Sequence, residues 1–371
     1  MSRVVIIGGG IAGLAAANTL RGMSAVDVTL IDRRASSDFL PLLPDVAAGR
    51  LDPALISVPL PDLAARRGFR FVQGHVLRID ARQRRVHLET SDMPYDYLIV
   101  ASGTESNFHG SAQAAQYAFP LHSVTDAVRM EESLRTGAHK HYVVAGGSYT
   151  GIEIATHLRC SLRAAGRKGR IIVVEKNPSI VATLPPWMRD YVRANLASLE
   201  IECKEGNQVA TLGPAEVTLS DGVTIQDAMT IWVAGVRTAD FTRTLEAPRD
   251  RQGRLTVDTT LRIDDRIFVA GDAALFQHRG APLRMSIQFA LTQGSRAAAN
   301  VLRGIAGAPL RPYRPLDPGY VIPMGNRRSC GCVLGVRLRG ALPTALHYAL
   351  CAYRSTGWER RWHVLRSALF A

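Results

Sequence analysis

The fold of this chain follows from residues 4–16, which read VVIIGGGIAGLAA. Four branched apolar residues lead into three glycines, and the glycines lead into small helix-forming residues, so the stretch predicts a strand, a tight turn and a helix. Gly8 permits the turn, Gly10 lets a pyrophosphate approach the backbone, and Gly13 lets the helix pack closely. The phosphates of a dinucleotide bind the N–H groups at the start of such a helix. The predicted contacts of this loop are Gly8, Gly10, Ile11, Ala12 and Gly13.

A correctly placed acid completes this first site. The predicted strand at residues 26–31 ends in Asp32, whose carboxylate can accept hydrogen bonds from a ribose. Another apolar run, residues 95–103, ends in small residues, and small residues at a strand's carboxyl end leave room for a ligand. Residues 69–79 and 85–89 alternate like strands. Further predicted contacts of this site are Arg33, Val76, Ala101, Ser102 and Gly103.

The opening pattern then occurs a second time. Residues 141–145 predict a strand, residues 146–151 a glycine-rich loop, and residues 152–162 a helix, and the next predicted strand ends in Glu175. Ser148 replaces the middle glycine and is small enough for close phosphate approach if its φ is negative. Since both acids are present, the chain is predicted to bind two dinucleotides. The predicted contacts are Gly146, Ser148, Tyr149, Thr150, Gly151 and Glu175.

Three further segments frame these sites. Residues 266–270 predict a strand that ends in Gly271 and Asp272, where an aspartate can hydrogen-bond a ribityl hydroxyl. Residues 283–303 predict a helix. Residues 38–51 combine prolines with apolar side chains, which predicts an exposed loop without a regular helix. This loop either walls a reactive ring or is a packed connection.

Composition limits the class of protein. The chain of 371 residues has five cysteines, an odd number that argues against a disulfide framework, and no metal ligand set is predicted. No apolar run approaches the roughly 18 residues of a spanning helix, and a strand at the N-terminus leaves no room for a signal peptide, so a cytosolic protein is expected. The net charge of +13 fits an anionic partner, either phospholipid or nucleic acid, or a charge that serves solubility.

The last sixty residues differ in character. Five prolines within residues 309–323 indicate a connection, residues 333–336 predict a short strand, and residues 341–353 and 358–370 predict helices. Basic amphipathic helices with Trp and Tyr can lie in a membrane interface, or they can be packing or dimer surfaces. The arginines that flank these helices are Arg337, Arg339, Arg354, Arg360, Arg361 and Arg366.

Over residues 1 to about 305, the two fingerprints and the following Gly-Asp strand resemble the pyridine nucleotide-disulfide oxidoreductase superfamily. The resemblance implies an α/β fold with two Rossmann-like dinucleotide-binding domains, in which an FAD domain is interrupted by an NAD domain. The implied boundaries are 1–115 and 236–305 for FAD, 116–235 for NAD(P)H, and 306–371 for a small α+β membrane-docking or interface region. Residues 39–43 contain no cysteine, which excludes dithiol chemistry there.

More narrowly, the chain resembles the type II NADH:quinone oxidoreductases. The similar segments are residues 39–49, 97–108, 230–236 and 287–294. The last of these matches the family's quinone-site helix at Gln288, Ala290 and Gln293 and departs from it at Ile287 and Thr292. The resemblance implies catalytic roles for Glu153 and Gln288, with Glu153 positioning the nicotinamide–flavin stack or relaying protons. It also places Pro41 and Leu42 at FAD, and Gln288, Ala290, Leu291 and Gly294 at the quinone.

The resemblance thus implies an enzyme that passes a hydride from NADH to FAD and two electrons on to a quinone, without pumping protons. NADH is favoured over NADPH because Glu175 repels a 2′-phosphate, although the neighbouring Lys176 weakens this preference. The expected partners are a quinone, an anionic membrane surface bound through the C-terminal tail, and a second copy in a homodimer, with no nucleic acid. The expected location is the cytoplasm, peripheral on the inner face of the cell membrane.

Two other functions stay open. One is a soluble FAD-dependent NAD(P)H oxidoreductase whose acceptor is a ferredoxin-like protein or a metabolite. The other is an NADH-sensing flavoprotein that acts as a binding module. A sulfide:quinone oxidoreductase is disfavoured because it requires cysteines placed at the flavin.

Overall fold

A computed structural model describes residues 1–137, 139–355 and 358–369, with side chains described as far as residue 366. The chain forms two compact units. Unit 1 combines Met1–Asp38, Ser57–Glu105 and Val236–Asp317, and unit 2 combines the described residues of Phe39–Ile56, Ser106–Gly235 and Pro318–Ala371. The predicted α/β class is confirmed, while the predicted domain boundaries stay a prediction.

Both units contain α-helices and short 3₁₀ helices. The α-helices are α1 (Ile11–Leu20), α2 (Leu43–Ala47), α3 (Leu60–Arg67), α4 (Ala112–Tyr117), α5 (Val124–Thr136), α6 (Tyr149–Ala164), α7 (Pro186–Ser198), α8 (Ile287–Ile305), α9 (Ala341–Arg354) and α10 (Trp358–Leu369). Short 3₁₀ helices are Leu40–Leu42, Pro53–Leu55, Asp240–Thr244 and Gly271–Ala273.

Unit 1 is built on a five-stranded parallel sheet. Val4 and Ile6 of its central strand are fully buried, as expected for a parallel sheet that is covered on both faces. The strands in spatial order are Ile267–Val269, Tyr97–Val100, Ser2–Ile7, Val26–Asp32 and Arg70–Gln73. The spatial order of the strands reverses beside Ser2–Ile7, since the next strands of the chain lie on one side of it and the later ones on the other. Ligands bind at such a reversal point in parallel sheets.

Several short sheets, most of them antiparallel, complete unit 1. One has three strands, Val76–Asp80, Arg85–Leu88 and Asp92–Pro94. Two-stranded pairs are Ser36–Asp38 with Ser57–Pro59, Leu255–Thr256 with Ala274–Leu275 (parallel), and Gln277–His278 with Ala281–Pro282. Two further short strands are Glu105–Ser106 and Val236–Arg237.

Unit 2 repeats the parallel design. Its strands in spatial order are Phe119–Pro120, Ala228–Trp232, His141–Ala145, Arg170–Glu175 and Ile201–Glu205. Two antiparallel sheets accompany it, one of Val209–Leu212, Glu216–Leu219 and Thr224–Gln226, and one of Gly319–Ile322, Ser329–Val333 and Val336–Gly340.

Two strand predictions were wrong in detail. Residues 69–79 form two strands rather than one, because Gly74 donates its N–H to the carbonyl oxygen of Asp32 and the chain then leaves the parallel sheet. Residues 333–336 are not one strand, because Val333 ends one strand, Val336 begins the next, and residues 334 and 335 form the hairpin turn between them. Leu334 and Gly335 have φ values of +49° and +81°, and a tight two-residue hairpin turn of this kind needs positive φ at both central positions.

The prediction of an exposed loop at residues 38–51 was also wrong. The segment contains α2, in which Pro44 occupies the first turn, where the missing N–H costs nothing. Leu42 is 0% exposed and packs with Leu43 and Val46 into the hydrophobic core of unit 2. The interpretation as a packed connection is therefore confirmed.

Candidate functional site

The first glycine loop adopts the predicted geometry. Gly8 has a φ of +108°, and a Cβ there would lie 2.3 Å from the carbonyl oxygen of Ala101. A Cβ on Gly13 would lie 1.8 Å from the carbonyl oxygen of Gly8, whereas Gly10 faces open space within 4 Å. The tight turn and the close packing are confirmed, and contact with a cofactor at Gly10, Ile11 and Ala12 stays a prediction.

Asp32 closes this loop from the neighbouring strand. Its carboxylate accepts hydrogen bonds from the N–H of Gly9 at 2.6 Å and from the N–H of Arg34 at 2.8 Å. The Arg33 side chain points to solvent and lies 3.3 Å from Glu105. The acid therefore fixes the loop while its oxygens can still accept further hydrogen bonds.

The Gly271–Asp272 turn lies against the same part of unit 1. The N–H of Gly271 donates to Oε1 of the buried Gln293 at 2.8 Å, and a Cβ on Gly271 would lie 2.9 Å from the Cβ of Ala12. Surrounding protein atoms desolvate the Asp272 carboxyl group and raise its pKa to about 6, although Arg254 acts in the opposite direction. The turn thus brings a carboxyl group with a raised pKa to the start of α1.

Two observations test whether a dinucleotide fits here. The buried hydroxyl of Ser102 has no hydrogen-bond partner among the described residues, and Ser102 lies beside Gly8. Within the described chain, no side chain caps the start of α1. An unpartnered hydroxyl and open helix N–H groups are what a phosphate-bearing ligand requires. The residues of unit 1 therefore fit FAD.

Helix α8 carries the predicted quinone residues. Gln288 and Ala290 are half-buried and Leu291 is exposed, and their contact with a quinone stays a prediction. Gly294 is buried against α1, where a Cβ would lie 2.0 Å from the carbonyl oxygen of Ala12, and its contact with a quinone also stays a prediction. Thr292, where the sequence departs from the family pattern, lies 2.8 Å from the Tyr313 hydroxyl.

Three further predicted cofactor residues do not belong to the parallel sheet of unit 1. Val76 is buried in the three-stranded antiparallel sheet of unit 1. Pro41 and Leu42 belong to unit 2, and the Leu42 side chain packs in the core there. Their contact with FAD stays a prediction.

The second glycine loop reproduces the first. Gly146 has a φ of +112°, and a Cβ on Gly151 would lie 1.9 Å from the carbonyl oxygen of Gly146. Ser148 has a φ of −81°, so the predicted negative φ is confirmed. The carboxylate of Glu175 accepts from the N–H of Gly147 at 2.7 Å, which is the same role that Asp32 has in the first loop.

The remaining predicted residues of this loop lie at the start of α6. The Tyr149 ring packs edge to face on Tyr320, with ring centroids 6.0 Å apart, and Thr150 follows it in the first turn. Asn177 donates to the second oxygen of Glu175 from both its backbone N–H, at 2.8 Å, and its side-chain amide, at 2.6 Å. The acid is therefore held on both oxygens.

Sequence reasoning missed a buried polar cluster of Asp45, His157 and Tyr348, which contacts the backbone of the half-buried Glu153. The Tyr348 hydroxyl donates to Oδ1 of Asp45 at 2.6 Å, and Nε2 of His157 lies 3.4 Å from the same oxygen. Nδ1 of His157 lies 2.7 Å from the backbone carbonyl oxygen of Glu153. The one signal in the sequence was the spacing of Glu153 and His157, since residues four apart share a helix face.

The cluster shifts the pKa values of its members. Burial, followed by the charge of Asp45, raises the pKa of Glu153 well above 4.5. Burial alone raises the pKa of Asp45, but His157, Arg50 and the Tyr348 hydroxyl lower it to about 2. Burial lowers the pKa of His347 to about 4. At neutral pH, Asp45 is therefore charged, whereas the Glu153 carboxyl keeps its proton to a higher pH than an ordinary glutamate does.

All five cysteines of the chain are free thiols in the structure. Across the described residues, no helix combines the length and the apolar character needed to cross a bilayer.

Comparison with known proteins places the chain in a family. Residues 2–294 match the family model described as pyridine nucleotide-disulphide oxidoreductase. An NADH dehydrogenase-like protein of Mycobacterium tuberculosis is 31% identical over 385 residues, covering 97% of this chain and 89% of that protein. A type II NADH:quinone oxidoreductase of Haemophilus influenzae is 26% identical over 409 residues, covering 96% and 92% respectively.

The fold itself matches a solved structure. NDH2 from Plasmodium falciparum, solved in complex with NADH, superposes with a TM-score of 0.85 at 15% identity, covering 99% of this chain and 97% of that one. Since the family model spans most of the sequence and both glycine loops have the expected geometry, the chain belongs to the pyridine nucleotide-disulphide oxidoreductase family.

Proposed function

We propose that this protein is a type II NADH:quinone oxidoreductase, an enzyme that takes a hydride from NADH and delivers two electrons to a quinone without pumping protons. The observation that carries the proposal is the pair of glycine loops, each of which is held by an acid at the end of the neighbouring strand. Asp32 holds the N–H of Gly9 at 2.6 Å, and Glu175 holds the N–H of Gly147 at 2.7 Å. The names of the similar proteins of Haemophilus influenzae and Plasmodium falciparum support the same activity.

The cofactors are FAD and NADH, with FAD assigned to unit 1 and NADH to unit 2. The α1 N-terminus would hold the FAD pyrophosphate, Asp32 the ribose and Asp272 a ribityl hydroxyl. The α6 N-terminus would hold the NADH pyrophosphate, with Glu175 at the adenosine ribose. A bound FAD would supply the group that takes the hydride from NADH and passes two electrons on to the quinone. A carboxylate at the ribose disfavours the 2′-phosphate of NADPH.

The assignments of the reactive region rest on the family resemblance. Gln288, Ala290 and Leu291 on α8 are proposed to contact the quinone. Glu153 is proposed to position the nicotinamide or to relay a proton, and the raised pKa of its carboxyl group supports the second role.

We also propose that the C-terminal helices dock on an anionic membrane at the inner, cytoplasmic face of the cell membrane. Exposed apolar side chains occupy one side of α9 and α10, namely Leu342, Leu346, Leu350, Tyr353, Trp358, Trp362 and Leu365. Of these, Trp358 is 75% and Trp362 is 52% exposed, and their rings stack with centroids 6.1 Å apart. Exposed aromatic and aliphatic side chains beside arginines suit an anionic lipid surface. A homodimer through this face stays a prediction.

The proposed activity is tested by anaerobic stopped-flow spectroscopy of the purified holoprotein. NADH is expected to bleach the yellow flavin within the turnover time, and a short-chain quinone mixed next is expected to restore it at a comparable rate. NADPH is expected to act more slowly than NADH at equal concentration. A colourless protein from a flavin-replete host would contradict the proposal.

The same experiment separates the alternatives. A soluble reductase with another acceptor would be reoxidised by ferricyanide or a ferredoxin-like protein and only slowly by quinone. An NADH sensor would form a long-lived charge-transfer complex and turn over slowly with every acceptor.

A further inference from the structure

Helix α8 is held in unit 1 by two neighbouring side chains in its second turn. The buried Gln293 side chain accepts from the N–H of Gly271 at 2.8 Å, which ties the helix to the turn that carries Asp272. The hydroxyl of Thr292, the residue before it, lies 2.8 Å from the hydroxyl of Tyr313. Consecutive residues of a helix point in directions about 100° apart, so the helix is held on two sides at one level.

The direction of the hydrogen bonds around Thr292 follows from its partners. A carbonyl oxygen can only accept, and a threonine hydroxyl carries a single proton, so the hydroxyl donates to the carbonyl oxygen of Gln288 at 2.8 Å. The carbonyl oxygen of Phe289 is farther away, at 3.3 Å. The Tyr313 hydroxyl therefore donates to the Thr292 oxygen. Two hydrogen bonds in series join Tyr313 to the backbone of Gln288.

Tyr313 is itself firmly placed. It is 5% exposed, and its ring packs edge to face on Phe276 with ring centroids 5.1 Å apart. Its backbone N–H donates to the carbonyl oxygen of Thr259 at 2.7 Å. Because a close-packed core leaves a buried ring little freedom to move, the Tyr313 hydroxyl is a fixed point against which α8 is held.

The segment that carries Tyr313 runs back along α8. The Asn300 side chain donates to the carbonyl oxygen of Arg311 and accepts from its N–H, both at 2.9 Å. Arg284, which precedes the helix, forms a salt bridge with Asp317. Together with the tyrosine contact, these contacts occur in reverse order along the helix, so residues 311–317 lie antiparallel to α8.

The position of Thr292 relates these hydrogen bonds to the proposed quinone residues. Gln288 and Thr292 are four residues apart, so they lie one turn apart on the same face of α8. A side chain on a helix covers the turn that precedes its own Cα, so the Thr292 hydroxyl lies against the turn that presents Gln288. The sequence departs from the family pattern at Thr292, so the pattern does not predict this contact.

We propose that Tyr313 is a positioning residue for quinone binding, because it fixes, through Thr292, the turn of α8 that presents Gln288. The inference rests on the proposed function, in which Gln288 contacts the quinone. Without the Tyr313 hydroxyl, the Thr292 oxygen loses its donor and the first turns of α8 are less firmly held. The quinone then binds less tightly, whereas the binding of NADH, which is assigned to unit 2, does not change.

The first measurement is hydrogen exchange of the oxidised holoprotein in the absence of quinone. Tyr313→Phe keeps the packed ring and removes only the hydroxyl. The backbone amides of residues 290–293 are expected to exchange about fivefold to tenfold faster, as expected for one lost hydrogen bond. Thr292→Val removes the same hydrogen bond from its other end, so it is expected to give a similar change, and Thr292→Ser, which keeps the hydroxyl, is expected to exchange like the wild type.

The second measurement is the dissociation constant of a short-chain quinone, together with steady-state kinetics. Tyr313→Phe is expected to raise Kd and KM for the quinone about tenfold, while KM for NADH stays within about twofold of the wild type. The matched control is Tyr97→Phe. Tyr97 is also a buried tyrosine of unit 1, but its hydroxyl lies at the other end of α8, 3.0 Å from where a Cβ on Gly304 would be. This control is expected to match the wild type in both measurements.

Unchanged exchange at residues 290–293 in the folded variant would overturn the proposal. An increase spread evenly over unit 1, or an equal rise of KM for NADH and for the quinone, would assign the effect to general loss of packing and would also overturn it. If Tyr313→Phe does not fold, Thr292→Val supplies the same comparison. Failure of the proposed function would appear separately, as wild-type protein that oxidises NADH without binding or reducing quinone, and it would end the role of Tyr313 in quinone binding whatever the exchange shows.

Discussion

At the residue scale, Asp45 makes an acid-sensitive contribution to stability. Burial alone raises its pKa, but its neighbours, chiefly His157, lower it from 3.8 to about 2. Since the pKa is depressed in the folded state, ionised Asp45 stabilises the fold above about pH 4 by about 2 kcal/mol, and this contribution is lost as the pH falls toward 2.

The measurement is urea unfolding between pH 3 and pH 6, with and without Asp45→Asn. Both proteins carry Glu153→Gln, which removes the competing titration of Glu153. We expect the variant to be less stable by about 2 kcal/mol at pH 6 and the difference to narrow below pH 4. A difference that is constant across the range would show that Asp45 acts through packing and not through its charge.

Residues differ in how far the sequence reveals them. Asp32 and Glu175 were predictable, because an acid at the end of a strand that follows a glycine loop occupies a fixed place in this fold. Asp45 was not, since its partners His157 and Tyr348 come from segments far apart in the chain and only the folded core brings them together. The available hint to Asp45 was an acid within an apolar segment of the sequence.

At the scale of elements, the contact between α1 and α8 depends on Gly294. A Cβ there would lie 2.0 Å from the carbonyl oxygen of Ala12, which is backbone and cannot swing away. Gly294→Ala is therefore expected to push α8 from the helix that begins at the first glycine loop. We expect a loss of about 1–3 kcal/mol in stability together with faster release of flavin, measured by thermal unfolding and by flavin fluorescence.

The control for this prediction is Gly304→Ala in the same helix. Its Cβ would lie 3.0 Å from the Tyr97 hydroxyl, the end of a side chain that can shift. Alanine also has the higher helix propensity, by about 1 kcal/mol, so this variant is expected to stay within about 1 kcal/mol of the wild type. Equal losses in both variants would argue against a specific contact at Gly294.

Element boundaries were predicted well where glycine or periodicity marked them, and poorly where tertiary packing decided. The start of α8 at Ile287 is set by Ser286, whose hydroxyl accepts from the N–H of Phe289 at 3.4 Å. α2 forms because the core of unit 2 buries Leu43 and Val46, and its proline lies in the first turn, where it is tolerated. The serine cap is a local signal that could have placed this helix start, whereas the formation of α2 depends on what the chain packs against.

At the scale of the whole molecule, the C-terminal helices contribute to the core of unit 2 and are also proposed to dock on a membrane, and a deletion cannot separate the two. Tyr348, Cys351 and Ala352 lie in the core of unit 2, whereas Trp358 and Trp362 are exposed. Removing the tail would open the core and break the hydrogen bond to Asp45. A test of membrane docking therefore has to change the exposed side chains only.

The last prediction concerns the double variant Trp358→Ser and Trp362→Ser. Each tryptophan offers a large apolar surface to the lipid interface, so their joint loss is expected to weaken binding to anionic phosphatidylglycerol vesicles about tenfold or more. NADH oxidation with ferricyanide is expected to persist, because the buried side of both helices is unchanged. With a net charge of +13, wild-type protein is expected to bind neutral phosphatidylcholine vesicles less tightly and to release anionic ones as salt rises.

The control for the double variant is Leu77→Ser, which changes an exposed apolar residue of unit 1 and is expected to bind vesicles like the wild type. If the double variant bound vesicles normally but changed from dimer to monomer by light scattering, the exposed face would be a contact between copies and the docking proposal would fail.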